Sequence, residues 1–189
     1  MRTSFDSIIN NFLEHTIQRT NSIQRYNTKQ IIRQQNVMEH EGAVTLIAMV
    51  LSDHLNELGV KNNTERVLRI AVTHDNDEVV SGDVNFDAKY SHGKISKELR
   101  KSLDKLGDYV IQDLYKRLGN KKLTKMYYDL YREEKGKNSV EARIVKMADC
   151  IDVVIYARNE QALGNREMAI VEKGAYEMFA KMFNETVKK

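Results

Sequence analysis

Two consecutive residues at the end of an apolar segment, His74 and Asp75, carry side chains that could bind a metal ion. They follow the sequence VLRIAVT, and on a helix they would lie about 100° apart around the axis. Both can therefore reach one ion beyond the end of that helix. Two ligands rarely hold a divalent ion, so further ligands must come from other segments.

Two more ligand-type residues lie in apolar helical segments, where packing alone would favour Leu or Ile. His40 stands in VMEHEG, and Asp149 stands in IVKMADCIDVV. Each residue could also have a purely structural role. His40 could be a hydrogen-bonded core residue, and Asp149 could pair with Lys146. With His74 and Asp75 they form a mixed nitrogen and oxygen set that suits Mn, Fe, Co, Ni, Mg or Zn. Four protein ligands in an octahedral shell would leave two positions for water and substrate.

The segments that must position these residues have helical patterns. Apolar residues recur at helical spacing, alternation typical of strands is almost absent, and the chain has no proline. Asn63 or Thr64 is predicted to cap the helix that leads to His74. A loop is predicted from Ser81 to Gly93. Helices are predicted over 5–18, 36–58, 62–75, 94–118, 121–134, 139–163 and 166–187, so the expected fold class is all-α.

Composition argues against several other classes of protein. The 189 residues are 41% hydrophobic and 30% charged, which is typical of one globular domain, and the net charge of +3 forms no basic stripe for nucleic acid. The longest strongly apolar run, AVTLIAMVL, is too short to span a bilayer. The N-terminal residues do not resemble a signal peptide. A single cysteine, Cys150, favours a reducing compartment, so we expect a cytoplasmic protein without a membrane partner.

The set of motifs resembles that of the HD-domain phosphohydrolases, and within them the YfbR-type 5′-deoxynucleotidases. The resemblance covers about residues 20 to 170. It rests on RY at 25–26, NVMEH at 36–40, HDNDEVVSGD at 74–83, KY at 89–90, KMAD at 146–149 and EQALGN at 160–165. It implies a single helical HD domain over residues 1–189. The implied activity is the metal-dependent hydrolysis of deoxynucleoside 5′-monophosphates to deoxynucleosides and phosphate.

The resemblance also implies roles for the metal-binding and acidic residues. One divalent ion is expected, with its identity left open among Mn, Co, Mg, Fe, Ni and Zn. Glu78 and Asp83 match acids beside the water and the substrate, where either can orient the water or carry its proton. The positions that match the metal ligands are His40, His74, Asp75 and Asp149.

Three further residues match substrate contacts in the resemblance. Arg25 matches a residue that binds the substrate phosphate, and Lys89 follows the acidic segment, where a second cation would help. Tyr26 replaces a tryptophan that is common in the family, whose ring crowds the sugar and disfavours a ribose hydroxyl. Because Tyr is smaller than Trp, we expect selection for deoxy substrates to survive without being absolute.

Two other functions remain open at this stage. The same site could remove triphosphate from a deoxynucleoside triphosphate, with extra cations from KYSHGK at 89–94. The protein could also be a non-catalytic module that binds a nucleotide and regulates a partner. Such a module would be expected to have lost a metal ligand or an acidic residue, whereas this chain keeps all the candidate ligands and acids. The resemblance also implies a homodimer, for which apolar residues near the C-terminus offer a contact: Met178, Phe179, Met182 and Phe183.

Overall fold

The computed structural model describes residues 4–188, and the helices found there confirm the all-α prediction. A π-helical turn at Ile9–Leu13 joins the first two helices. None of the helices in the described range is long and apolar enough to cross a bilayer. The helices are α1 (Ser4–Ile8), α2 (Glu14–Ser22), α3 (Val37–Glu57), α4 (Thr64–Ala71), α5 (Glu78–Ser81), α6 (Phe86–Tyr90), α7 (Gly93–Lys116), α8 (Lys121–Gly136), α9 (Val140–Ala162) and α10 (Met168–Val187).

The described residues divide into two compact units. Unit 1 contains the residues up to Gln30 together with Gln34–Glu39 and Asp75–Asp129. Unit 2 contains Ile31–Arg33, His40–His74 and the residues from Leu130 onward. The single domain predicted over residues 1–189 stays a prediction.

The core of unit 2 is built around α9, against which α4 and α10 pack. Buried apolar residues of α3 recur at helical spacing through Val44, Ala48, Leu51 and Leu55. This pattern fixes which face of α3 is buried. His40 precedes Val44 by four residues and therefore lies on the same buried face.

The core of unit 1 centres on the C-terminal half of α7. The Tyr115 ring stacks on Tyr127 with centroids 4.5 Å apart, and Phe12 lies 5.3 Å from Tyr115. The buried side chain of Asn76 donates to the Tyr115 hydroxyl at 2.8 Å. Asn76 directly follows Asp75, so this bond ties the start of the acidic segment to the core of unit 1.

Side-chain caps fix the starts of the helices that carry the predicted site. The Asn36 side chain accepts from the Glu39 N–H at 2.9 Å, and Glu39 accepts from the Asn36 N–H at 3.1 Å, which is a capping box at the start of α3. Asn63 caps α4 by accepting from the Arg66 N–H, as one of the two predicted alternatives. Ser139 does the same for α9 by accepting from the Ala142 N–H.

The predicted loop from Ser81 to Gly93 is wrong at seven of its residues, because its two end residues belong to α5 and α7 and five more form α6. Helix α6 occupies Phe86–Tyr90, and the Asn85 side chain begins it by accepting from the Ala88 N–H at 2.8 Å. A helix of little more than one turn is too short to show apolar periodicity, so the pattern could not reveal it.

Candidate metal centre

Two buried imidazoles face each other in unit 2. His40 lies in the first turn of α3, and His74 lies three residues beyond the end of α4. Their Nε2 atoms are 3.3 Å apart, and the His40 side chain is only 1% exposed. Two nitrogens that bind one ion at about 2.1 Å, at right angles to each other, lie roughly 3 Å apart. The pair therefore fits a shared divalent ion.

The other ring nitrogen of each histidine has a hydrogen-bond acceptor. His40 Nδ1–H donates to Asp152 Oδ2 at 2.7 Å, and His74 Nδ1–H donates to the carbonyl of Ala71 at 2.8 Å. Because each acceptor requires the proton on Nδ1, each Nε2 presents its lone pair. Histidines that bind metals are commonly oriented in this way.

Asp152 is a site residue that the sequence analysis missed. It is 3% exposed and lies on the apolar helix α9, three residues after Asp149. Residues with this spacing share one face of a helix. A second acid on the face of Asp149, in the apolar run IVKMADCIDVV, is a signal that could have identified it.

Asp149 pairs with Lys146, as one of the two sequence interpretations expected, and it also lies beside the His40 imidazole. Its Oδ1 lies 3.4 Å from His40 Nε2, and its Oδ2 lies 2.5 Å from Lys146 Nζ. Burial alone would raise the pKa of the Asp149 carboxyl, but the Lys146 charge and, after it, His40 and His74 hold that pKa well below its usual range. Asp149 in turn raises the pKa of Lys146. The carboxylate is therefore an anion beside the two imidazoles.

Unit 2 alone contains three of the four predicted ligands, His40, His74 and Asp149. Two imidazole nitrogens and carboxylate oxygens form a donor set that first-row divalent ions accept. The residues present thus fit a divalent ion.

The acidic segment of unit 1 surrounds a carboxyl group that resists ionisation. Burial raises the pKa of Glu78 well above its usual range, and the charges of Asp75, Asp83 and Asp77 raise it further, whereas Lys89 lowers it. A carboxyl group with a raised pKa can exchange a proton near neutral pH. This environment suits the acid–base role predicted for Glu78.

The predicted substrate residues Arg25 and Tyr26 lie together in unit 1. The Arg25 guanidinium is 5.2 Å from the centroid of the Tyr26 ring and donates to Gln35 Oε1 at 2.7 Å. The next residue, Asn27, donates from its side chain to the carbonyl of Asp83 at 3.1 Å. The structure thus brings this segment to the acidic segment, and Gln35 and Asn27 are two contacts that the sequence did not predict.

The predicted site residues fall into two groups. The individual roles of these residues remain predictions. The unit 2 group is His40, His74 and Asp149, and the unit 1 group is Asp75, Glu78, Asp83, Lys89, Arg25 and Tyr26.

Comparison with known proteins identifies the family of this chain. Residues 11–189 match the model of the YfbR-like 5′-deoxynucleotidase family. The chain belongs to this family. The resemblance that the HD motifs indicated is therefore confirmed.

Two similar proteins align with most of this YfbR-like chain. A 5′-deoxynucleotidase of Vibrio vulnificus is 29% identical over 170 residues, covering 86% of this chain and 80% of the relative. The 5′-deoxynucleotidase YfbR of Escherichia coli K12 is 28% identical over 162 residues, covering 85% and 78%.

Solved structures share the fold of this YfbR-like chain. An HD-domain phosphohydrolase from Listeria innocua superposes with a TM-score of 0.79 at 22% identity, covering 95% of this chain and 84% of that chain. A protein from Pyrococcus horikoshii superposes with a TM-score of 0.71 at 23% identity, covering 97% and 96%. The helical HD fold is therefore shared across low sequence identity.

Proposed function

We propose that this YfbR-like chain is a metal-dependent 5′-deoxynucleotidase that converts deoxynucleoside 5′-monophosphates to deoxynucleosides and phosphate. The observation that carries this function is the pair of facing Nε2 atoms of His40 and His74, with the carboxylate of Asp149 beside them. The family and its named relatives supply the substrate class.

The proposed ligands are His40, His74, Asp75 and Asp149. When bound, a divalent ion supplies Lewis acidity, which polarises the phosphate and makes water more acidic. The protein holds the two imidazoles in the ligating tautomer through Asp152 and the Ala71 carbonyl. Asp149 keeps its negative charge because Lys146 stabilises it.

Glu78 and Asp83 are the proposed acid–base pair. The raised pKa of Glu78 lets this carboxyl take a proton from the attacking water and return it to the leaving oxygen of the sugar. Asp83 lies close enough for its charge to raise the pKa of Glu78. Asp83 also receives a hydrogen bond from Asn27 on its carbonyl, which fixes its backbone beside the substrate segment.

The proposed substrate contacts are Arg25, Tyr26 and Lys89. Arg25 offers a planar guanidinium that matches two phosphate oxygens, and Lys89 adds a second positive charge beside Glu78. Tyr26 is proposed to lie against C2′ of the sugar, where a ribose hydroxyl would lose its water. These contacts would select a phosphate ester on a deoxyribose.

We also propose that the protein is a cytoplasmic homodimer. Apart from Met168, the apolar side chains in the described part of α10 are not fully buried, and Met178 is 39% exposed. Apolar surface of this kind supports a subunit contact. The buried free thiol of Cys150 is consistent with a reducing compartment.

A substrate panel tests the proposed activity. Purified protein is loaded with Mn, Co, Mg or Zn and given deoxy and ribo nucleotides as monophosphates and triphosphates. We expect the wild-type protein to release free phosphate from deoxynucleoside monophosphates. The His74→Ala variant, prepared in the same way, should release none. Release of tripolyphosphate from triphosphates would instead identify a triphosphohydrolase. Nucleotide binding without any hydrolysis would identify a regulatory module.

A further inference from the structure

A buried carboxylate on α9 holds a distant segment of the chain. Both oxygens of Glu160 accept backbone N–H groups: Oε2 from Ile32 and Oε1 from Arg33, each at 2.7 Å. The Tyr156 hydroxyl, one turn earlier on α9, donates to the Arg33 carbonyl at 2.6 Å. Three hydrogen bonds thus hold Ile32 and Arg33 of the segment 31–33, which we call the strap.

The chemistry of this clamp requires a carboxylate at position 160. Glu160 is only 1% exposed, and its Oε2 also accepts from the side chain of Asn165 at 2.9 Å. Burial alone would raise the pKa of Glu160, but the hydrogen bonds from Ile32, Asn165 and Arg33 lower it. The Glu160 carboxyl is therefore ionised at neutral pH, and it accepts hydrogen bonds from all three of these residues.

The strap continues directly into the residues that hold Arg25. The side chain of Gln34 donates to the Arg25 carbonyl at 2.9 Å. The Gln35 carbonyl accepts from the Arg25 N–H at 2.9 Å, and the Gln35 side chain accepts from the guanidinium. Only one or two peptide bonds separate the clamped Arg33 from these contacts. Fixing the strap therefore limits where Arg25 can lie.

Tyr26 gives a second reason for a clamp. Its φ is +57°, in the left-handed region that residues with a side chain rarely adopt. A residue persists there only where its surroundings determine its conformation, and such residues occur often at binding sites. The contacts of Gln34 and Gln35 with Arg25, held in place by the strap, provide such surroundings.

We propose that Glu160 is a positioning residue for substrate binding. Its carboxylate, with the Tyr156 hydroxyl, fixes the strap and through it the placement of Arg25 and Tyr26. Glu160 itself touches no reacting atom. This inference rests on the proposed function, since that function makes Arg25 and Tyr26 the contacts to phosphate and sugar.

Hydrogen exchange tests the clamp without any substrate. Glu160→Gln keeps the size of the side chain but turns one acceptor into a donor, which faces a backbone N–H. We expect the Ile32 and Arg33 amides to exchange at least about tenfold faster in this variant. The matched control is Glu172→Gln, which removes a carboxylate that binds Arg158 and Gln161 of α9 and leaves the strap unchanged.

Kinetics test the positioning role. We expect Glu160→Gln to raise KM for a deoxynucleoside monophosphate about tenfold, with a nearly unchanged kcat and full metal content, because uniform substrate binding is lost. The preference for deoxy over ribo substrates should fall as well. Arg25→Ala and Glu160→Gln should be non-additive in KM, since the second acts through the first. If Glu160→Gln does not fold, Tyr156→Phe removes one bond of the clamp and should shift the same measurements in the same direction.

The outcomes separate this inference from the proposed function. Wild-type protein that hydrolyses no nucleotide would overturn the function before any variant is compared. With an active wild type, unchanged exchange at Ile32 and Arg33, an unchanged KM, or additive effects with Arg25→Ala would each overturn the positioning role of Glu160.

Discussion

Asp152 Oδ2 lies 2.7 Å from His40 Nδ1, and both side chains are buried in unit 2. The carboxylate fixes the proton on Nδ1, so the Nε2 lone pair points towards His74, 3.3 Å away. The orientation of the proposed ligand thus depends on a residue that does not itself bind the ion.

Asp152→Asn should weaken metal binding by about 10- to 100-fold, because the amide can donate to Nδ1 and favour the wrong tautomer. Competition with a chromogenic chelator measures the affinity. Asp129→Asn, which removes only an exposed partner of Lys125, is the control and should bind as the wild type does. Equal affinity in the two variants would contradict the orienting role.

His74→Ala and Asp75→Ala should each abolish metal binding and hydrolysis, because each removes one of four proposed ligands. Far-UV circular dichroism should still show a helical protein. His54→Ala, at an exposed position near the end of α3, serves as the control for loss of an imidazole. Full metal occupancy with normal turnover in either variant would show that the substituted residue is not a metal ligand.

Glu78→Gln should keep the ion and lower kcat by about 100-fold or more, which is the usual contribution of a positioned acid–base group. Metal analysis and kcat are measured on the same preparation. The exposed Glu65→Gln provides the comparison. A Glu78→Gln enzyme within twofold of the wild type would mean that Glu78 carries no proton in the reaction.

Stability of the metal-free protein should depend on pH through Glu78. Its folded pKa is raised above the ordinary value of 4.5, so the stability that it contributes is fully present below 4.5 and is lost as pH rises through the folded pKa. Glu78→Gln should therefore be more stable than the wild type at about pH 8, with a difference that shrinks towards pH 4.5. Chemical denaturation in excess chelator measures this. A difference that is constant with pH would contradict the assignment.

Tyr26 should make the enzyme prefer deoxy substrates by about 10- to 100-fold in kcat/KM, the scale of one unpaired buried hydroxyl. Tyr26→Ala should reduce this preference, and Tyr26→Trp should increase it. Matched deoxy and ribo monophosphates give the ratio. Equal kcat/KM for both sugars in the wild type would show that Tyr26 does not exclude the hydroxyl.

Light scattering at micromolar concentration should give twice the chain mass of 21.9 kDa. Met178→Lys introduces a charge into the exposed apolar part of α10 and should shift the protein towards the monomer. Lys173→Glu changes a charge on the same helix outside the apolar residues and should leave the mass unchanged. A mass near 21.9 kDa for the wild type would refute the dimer.

The sequence predicted the parts of the site that depend on residue type and spacing. His74 and Asp75 closely follow an apolar helix, and His40 and Asp149 interrupt apolar faces, so each is visible as an exception to its pattern. Helical periodicity likewise revealed the long helices but not α6, which is too short to show it.

Features that depend on distant pairing could not be predicted. Arg33 and Glu160 are 127 residues apart, and nothing in either local sequence indicates the other. The position of Asp152 on the helix face of Asp149 marks it as a candidate, but its pairing with His40, 112 residues away, leaves no trace in the local sequence. The positive φ of Tyr26 is set by its surroundings, and residue identity alone would have favoured a right-handed or extended backbone.

Tyr26 and Lys137 are the two non-glycine residues with positive φ in the described range, at +57° and +50°. Lys137 follows the end of α8, where Asn or Gly adopts this conformation at a lower free-energy cost. Laboratory evolution for heat resistance alone should therefore accept Lys137→Asn freely. At position 26 the same exchange would relieve the backbone but remove the ring beside Arg25. Selection for heat resistance would thus be compatible with turnover at position 137. At position 26 it would be opposed to turnover.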